Sequence, residues 1–136
     1  MSRKSKGTNA ERDLVHKFWS KGYAAVRIAG SGSNHYPSAD LIASNKLRRM
    51  AIECKTSASE SKYFTKEDVE QLRTFASLFG AEPWIAMRFD RQEWHFVNPD
   101  DLRVTDTGFA IDIELLKNKG LLFEEVIKKI CCFKYQ

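Results

Sequence analysis

Apolar positions in the first part of the chain change from helical to extended spacing. An apolar stripe at helical spacing follows Thr8 and ends at Gly22, which predicts a first helix. Residues 23–28 then alternate weakly, as in a strand with one buried face. The glycine- and serine-rich stretch 29–38 interrupts this pattern and predicts a loop that exposes backbone amides and hydroxyls.

The middle of the chain predicts a hairpin followed by a helix. Residues 40–43 and 49–55 have the composition of two short strands, and the polar stretch 44–48 joins them. Residues 66–79 carry apolar side chains at helical spacing, and Thr65 is placed to cap that helix.

The last third contains a second strand pair and a closing helix. Residues 83–89 and 94–97 predict strands joined by a polar turn, and Leu121–Ile130 predicts a helix. Residues 100–120 show no clear pattern. The elements together predict an α/β fold in which helices flank a central mixed β-sheet.

Length and composition predict one globular domain that is not membrane-bound. A chain of 136 residues suffices for one hydrophobic core. We expect residues 1–7 to form a flexible basic arm and residues 131–136 a frayed tail. The three cysteines lack the paired spacing of a zinc site, and no apolar run is long enough to span a membrane. Reduced thiols and a cytoplasmic location are therefore expected.

Charge is distributed unevenly along the chain. Residues 1–60 contain eleven Lys or Arg and five Asp or Glu, a net charge of +6, whereas residues 61–136 have a net charge of −2. A basic surface attracts phosphate backbones through counterion release, although it also serves solubility. The first half therefore favours a polyanionic partner such as nucleic acid.

Two carboxylates and a lysine in the predicted hairpin suggest a metal-dependent hydrolase. Asp40 begins its first strand, and Glu53 and Lys55 share one face of its second strand because strand side chains alternate. Magnesium prefers a few carboxylate oxygens and shares its coordination with substrate phosphate, and an adjacent ammonium can stabilise a phosphodiester transition state. The motif alone is common, and an ordinary exposed ion pair is the competing interpretation.

Several further segments between Lys4 and Val97 accompany this motif. They are KxxxxxAER, VRIAGSGS, SADLIA, AIECKTS and RTFASLFG. In these segments the sequence resembles the archaeal Holliday junction resolvases of the PD-(D/E)xK nuclease superfamily. The resemblance implies a restriction-endonuclease-like core and a structure-selective endonuclease, active in recombination and repair, that resolves four-way junctions by paired symmetric nicks.

The resemblance also implies roles for individual residues. Glu11, Asp40 and Glu53 would bind Mg²⁺, for which we expect Mn²⁺ to substitute, and Lys55 would stabilise the transition state. Arg12 and Arg27 would contact DNA phosphates. Independently of the resemblance, the basic arm with Lys4 and Lys6 could lie on a phosphate backbone, and Ser33 is a further candidate DNA contact. A loop serine near the cleavage site would also take part, for which Ser31 is the first choice and Ser33 the alternative.

The implied substrate predicts a homodimer, because two symmetric cuts suit a protein with two sites related by a twofold axis. Three alternatives stay open at this point. The chain could be a nuclease of the same fold with a restriction or repair substrate, a non-catalytic junction-binding protein, or an α/β domain unrelated to nucleic acid.

Overall fold

The computed structural model describes residues 3–30 and 35–128, with side chains from Lys6 onward. Its elements in chain order are α1 (Arg3–Ser20), β1 (Ala24–Arg27), β2 (Leu41–Ser44), β3 (Arg49–Ser57), β4 (Ser61–Thr65), α2 (Lys66–Phe79), β5 (Glu82–Phe89), β6 (His95–Val97), a 3-10 turn (Pro99–Asp101), β7 (Arg103–Val104), β8 (Gly108–Asp112), α3 (Ile113–Lys119), β9 (Leu121–Leu122) and α4 (Phe123–Lys128).

The strands form two sheets. The larger sheet has the order β1-β2-β3-β5-β6-β9, and β3 and β5 are its parallel pair. A small sheet has the order β4-β8-β7. The predicted α/β architecture, a central mixed sheet flanked by helices, is confirmed.

Both predicted hairpins are present. β2 and β3 pair antiparallel, and β5 pairs antiparallel with β6. In the first hairpin the Asn45 side-chain oxygen accepts hydrogen bonds from the backbone amides of Leu47 and Arg48, each at 2.8 Å. This turn chemistry fixes the register that places Leu41 opposite Ile52.

The hydrophobic core lies on both faces of the larger sheet. Met50 and Ile52 of β3 pack in one cluster with Leu14 and Phe18 of α1. Ala51, between them, belongs to a second cluster that includes the buried side chains of α2. The alternation of β3 therefore attaches α1 to one face and α2 to the other.

The helix predicted over residues 66–79 is confirmed at both ends. Thr65 accepts a hydrogen bond from the Asp68 amide, and the Asp68 carboxylate accepts one from the Thr65 amide, which completes a capping box. Gly80 ends the helix with a left-handed φ of 78°, a conformation that glycine adopts without strain.

The expected basic arm is corrected by the extent of α1. The helix begins at Arg3, five residues before the predicted start, so Lys4 and Lys6 are helical. Lysine and arginine are good helix formers, and they extend the helix although they add nothing to its apolar stripe. Met1 and Ser2 lie outside the described residues.

The predicted closing helix is also corrected. Leu121 and Leu122 form β9, which pairs with β6, and α4 begins at Phe123 and covers Phe123–Lys128 within the described residues. The Glu125 carboxylate accepts a hydrogen bond from the Leu122 amide at 2.8 Å, so the chain turns into the helix after the strand pairing is complete. Residues 129–136, including the expected tail, lie outside the described residues.

The pattern had left 100–120 unassigned, and this stretch supplies most of the small sheet. β8 pairs with β4 so that Gly108 lies opposite Thr65. A Cβ atom at Gly108 would lie 2.2 Å from the Phe64 carbonyl oxygen, so this close approach needs glycine. In the part of the chain that the structure describes, no helix is long and apolar enough to cross a membrane.

Arg48 joins the start of β3 to the end of the described chain. Its buried guanidinium donates two hydrogen bonds to the Glu82 carboxylate, at 2.9 and 2.8 Å, and one to the Val126 carbonyl at 2.6 Å. Charge-assisted bidentate bonds of this kind are among the stronger ones in proteins. The hairpin turn, β5 and α4 are therefore tied together at this end of the sheet.

Candidate active site

The chemical residues lie in the second half of β3. After the buried residues Met50, Ala51 and Ile52, the strand continues through half-buried residues to Ser57. Glu53 and Lys55 project from the same face, as predicted, and the Lys55 Nζ lies 3.2 Å from Glu53 Oε2. The side chains are 31% and 20% exposed for Lys55 and Glu53, so water reaches this ion pair only in part.

Asp40 is held beside this half of β3 by its backbone and its side chain. Its amide donates to the Ile52 carbonyl at 2.9 Å, and its own carbonyl accepts from the Ile28 amide at 2.7 Å. Its Oδ2 accepts a hydrogen bond from the Cys54 amide at 2.8 Å. The hairpin therefore brings Asp40 and Glu53 together across twelve intervening residues, as the spacing predicted.

Glu11 reaches the same region from α1. Its Oε1 lies 3.4 Å from the Arg27 Nη1, and both side chains are largely covered. The pKa of Glu11 is raised by burial and then by the negative charge of Asp40, while Arg27 and Lys55 act in the opposite direction. Glu11 thus shares the electrostatic environment of Asp40 and Lys55.

The pKa values of Glu53 and Lys55 are both shifted by burial and by neighbouring charges. Burial, followed by the charge of Asp40, raises the pKa of Glu53 to about 7, although Lys55 opposes the shift. For Lys55, burial lowers the pKa, but the charge and hydrogen bond of Glu53 together with the charge of Asp40 raise it overall. The ammonium is therefore firmly protonated, and the carboxylate beside it is costly to ionise.

This donor set fits a hard divalent cation. Mg²⁺ is commonly bound by one or two carboxylates together with water and substrate phosphate, and Asp40 and Glu53 offer such a pair. An added cation would also offset the burial and the repulsion from Asp40 that raise the pKa of Glu53. Within the described ranges, no group of three or more His, Cys, Asp or Glu side chains is arranged to hold a metal ion by itself.

The two arginines predicted to bind phosphate have different environments. Arg12 is exposed on α1 and forms no ion pair with any residue that the structure describes. Arg27 is less exposed and contacts Glu11. Arg12 is therefore available to a ligand, whereas Arg27 also positions a carboxylate.

The remaining predicted contacts are only partly covered by the structure. Lys6 lies on α1 and its Nζ is 3.1 Å from the Asp90 carboxylate. Lys4 lies in the first turn of α1, but its side chain is outside the described part. Ser31 and Ser33 also lie outside the described residues, so the choice between them stays a prediction.

Comparison with known proteins identifies the family. The family model described as archaeal Holliday junction resolvase (Hjc) matches residues 2–132. The chain belongs to this family. It is 40% identical over 129 residues to the crossover junction endodeoxyribonuclease Hjc of Archaeoglobus fulgidus, covering 90% of this chain and 95% of that protein. It is 38% identical to the Hjc of Methanocaldococcus jannaschii, covering 90% of this chain and 86% of that one.

A solved member of the resolvase family has the same fold. The structure of Archaeoglobus fulgidus Hjc, described as a Holliday junction resolvase from an archaeal hyperthermophile, matches with a TM-score of 0.83 and 39% identity. The match covers 88% of this chain and 98% of that one. The predicted family and its restriction-endonuclease-like core are therefore confirmed.

Asp68 is one residue of this resolvase site region that the sequence analysis missed. Its negative charge contributes to the raised pKa values of both Glu53 and Lys55. The same carboxylate closes the capping box of α2. The available signal was its position three residues after Thr65, which indicates a helix cap but gives no indication that the helix starts beside the hairpin.

Proposed function

We propose that this protein is a structure-selective endonuclease that resolves four-way DNA junctions by paired symmetric nicks and requires Mg²⁺. The observation that carries the proposal is the half-buried cluster of Asp40, Glu53 and Lys55, in which the pKa of Glu53 is raised to about 7. Such perturbed groups mark sites built for chemistry rather than for surface solubility. Family membership supplies the substrate class.

Lys55 is the residue of this chain that acts on the reacting phosphate. When water attacks phosphorus and the P–O bond to the leaving oxygen breaks, negative charge grows on the phosphate oxygens, and the Lys55 ammonium is placed to donate to them. Glu53 holds that ammonium at 3.2 Å and favours its protonated form. Mg²⁺ bound by Asp40 and Glu53 would supply Lewis-acid polarisation and a more acidic water.

Glu11 and Arg27 position this chemistry from the side of α1. Their contact at 3.4 Å holds the Glu11 carboxylate near Asp40, from where Glu11 would accept a hydrogen bond from a water molecule if Mg²⁺ were bound. We assign Glu11 to this outer position because its carboxylate contacts the Arg27 guanidinium. Arg12, exposed on the same helix, would contact the DNA backbone.

Junction selectivity requires two such sites in a fixed relation, which a C2 homodimer provides. The exposed surface of α2 supports this assembly. Leu78 is 83% exposed and Phe79 46% exposed, and the Phe79 ring stacks on Phe75 with centroids 5.3 Å apart. Large apolar side chains exposed together on one helix are typical of an interface.

Cleavage of an immobile four-way junction tests the catalytic proposal. The protein is incubated with the junction or with linear duplex of the same sequence, with Mg²⁺ or with chelator. We expect paired nicks on the junction only, dependent on Mg²⁺ and reduced at least about a hundredfold in Glu53→Gln, which keeps junction binding. Glu114→Gln, at an exposed site on α3, is the matched control with unchanged cleavage. Equal cutting of duplex would overturn the substrate, and absence of cutting would overturn the nuclease.

Molar mass in solution tests the dimer separately. We expect twice the 15.6 kDa of the chain for the unmodified protein and a monomer for Leu78→Glu, which places a charge in the proposed interface. The monomeric variant should nick junctions singly rather than in pairs. Val104→Glu, at a site 76% exposed on the small sheet, is the control and should remain dimeric. A dimeric Leu78→Glu would place the interface elsewhere.

A further inference from the structure

A groove with a basic lining lies beside the active site. Its volume is about 490 Å³, and it is lined by Lys6, Thr56, Ser57, Ala58, Ser59 and Lys62. Two lysines and three residues with hydroxyl groups thus line one space, and no carboxylate is part of this lining. The composition is that of a site for a phosphate group.

The groove has a preformed wall and free donors. Ser57 and Ser59 are joined by a hydroxyl–hydroxyl hydrogen bond of 2.9 Å. The Ser59 hydroxyl also donates to the Ser61 carbonyl at 2.8 Å. These bonds fix the turn between β3 and β4. The Thr56 hydroxyl has no hydrogen-bond partner in the described ranges, so it is available to a ligand.

The two lysines differ in their partners. Lys62 is half-buried, and no carboxylate of the described residues forms an ion pair with it. Lys6 contacts Asp90 at 3.1 Å, and both side chains are about half exposed. An exposed pair of this kind contributes little free energy, so Lys6 can exchange Asp90 for a stronger anion. Lys62 has no competing contact to give up.

Both sides of the groove continue directly into the active site. On β3, Ser57 shares the face of Lys55 at about 7 Å along the strand, whereas Thr56 projects from the opposite face. On α1, Lys6 precedes Glu11 by five residues, which is about 7.5 Å along the helix axis. A DNA strand whose phosphate contacts Lys55 would therefore pass through this groove with a neighbouring phosphate.

We propose that Lys62 and Lys6 bind a backbone phosphate of the DNA strand next to the phosphate that is cut. This inference rests on the proposed function, and it assigns a second phosphate subsite to the same strand. Contacts of this kind orient the substrate without specifying its sequence. The subsite would fix the direction in which the strand crosses Lys55.

The salt dependence of junction binding, measured in chelator to prevent cutting, tests the subsite. We expect Lys62→Gln to weaken binding roughly fivefold to tenfold at 0.1 M salt and to reduce the slope of log K against log salt by about 0.9, the value for one lost phosphate contact. Lys62→Arg should keep the junction affinity and the salt slope of the unmodified protein. The matched control is Lys46→Gln, at an exposed position in the β2–β3 turn, at the other end of β3.

The outcomes separate this inference from the function it rests on. If the unmodified protein cuts junctions and Lys62→Gln has the unmodified slope, the subsite is wrong and the nuclease stands. If Lys46→Gln reduces the slope as much as Lys62→Gln, the effect is general charge and the subsite is again wrong. If inorganic phosphate binds the unmodified protein but not Lys62→Gln, while both have the same DNA slope, the ligand is free phosphate instead. If the unmodified protein does not cut junctions, the proposed nuclease function is wrong.

Discussion

The two halves of β3 have opposite tasks although they belong to one strand. Met50, Ala51 and Ile52 are fully buried between α1 and α2, whereas residues 53–57 are half-buried and mostly polar. The first half stabilises the fold by removing apolar surface from water. The second half holds charges where removal from water is costly. One strand thus passes from the core into the site without a change of geometry.

The neighbouring strand explains why the charges are so strongly perturbed. Glu53 and Lys55 lie in register with Ile85 and Met87 of β5, and both of these residues are buried. The carboxylate therefore has an apolar neighbour on one side and the negative charge of Asp40 nearby. The core is not merely a support for the site, because its apolar packing raises the pKa of Glu53.

The largest expected effect on stability comes from a substitution in the buried first half of β3. Ile52→Ala should lower the free energy of unfolding by about 2 to 5 kcal/mol, because it removes buried methyl groups and leaves a cavity. Urea denaturation measures this change. Val26→Ala, at a residue 58% exposed on β1, should cost less than about 0.5 kcal/mol. Equal losses in the two variants would contradict the division of β3.

Substitution in the charged half should change stability in a pH-dependent way. The folded-state pKa of Glu53, about 7, lies above its ordinary value of 4.5, so its stabilising contribution is present below pH 4.5 and is lost as the pH rises through 7. Glutamine does not titrate. In chelator, Glu53→Gln should therefore gain on the order of 2 to 3 kcal/mol relative to the unmodified protein between pH 4.5 and pH 8.

Urea denaturation at the two pH values measures this difference, with Glu114→Gln as the exposed control. A stability gap that stays constant with pH would show that Glu53 titrates normally. Mg²⁺ at pH 8 should stabilise the unmodified protein more than Glu53→Gln, since binding to the folded state adds to stability. The stabilities with and without Mg²⁺ then separate the free-energy cost of ionising Glu53 from the contribution of the ionised carboxylate to Mg²⁺ binding.

A substitution at the start of α2 tests whether stability can be lost without loss of cleavage. Thr65→Ala removes one side of the capping box and should lower the free energy of unfolding by about 1 kcal/mol. Junction cleavage below the unfolding transition should stay within about twofold of the unmodified protein. Thr107→Ala, at an exposed turn position, is the control for loss of a threonine hydroxyl. Loss of cleavage without loss of stability would move Thr65 into the site.

An exposed ion pair should give the smallest effect. Arg73 contacts Asp100 at 2.7 Å, but the Asp100 side chain is 74% exposed. Arg73→Ala should change the free energy of unfolding by no more than about 1 kcal/mol, because water screens such pairs. The same measurement on Lys55→Ala tests whether burial makes the Glu53–Lys55 pair different. Identical changes in the two variants would indicate that burial has no effect.

The parts of the fold that local patterns specify were predicted well from the sequence. The β2–β3 hairpin and α2 were recovered because turn chemistry, alternation and a capping box each act over a few residues. The small sheet was missed because β4 pairs with β8, more than forty residues later, and short strands show little alternation. The early start of α1 was missed because basic residues favour a helix without marking an apolar face.

The site was predictable in its residues and less so in its electrostatics. Alternation along β3 places Glu53 and Lys55 together, and the hairpin adds Asp40. The contact of Glu11 with Arg27 depends on how α1 packs over the sheet, which no local pattern states. The raised pKa of Glu53 depends on burial beside β5, and the contribution of Asp68 depends on where α2 begins.

The Arg48 anchor offers a place to attach a reporter. Arg48 fixes the Val126 carbonyl at the start of β3, and Lys55 lies at the opposite end of that strand, about 23 Å of extended chain away. The exposed side chain of Lys128, two residues after Val126 on α4, offers a place for a dye or an immobilising group at this end of the sheet. Single-molecule observation of junction binding could use this position because it lies at the end of the sheet opposite Lys55.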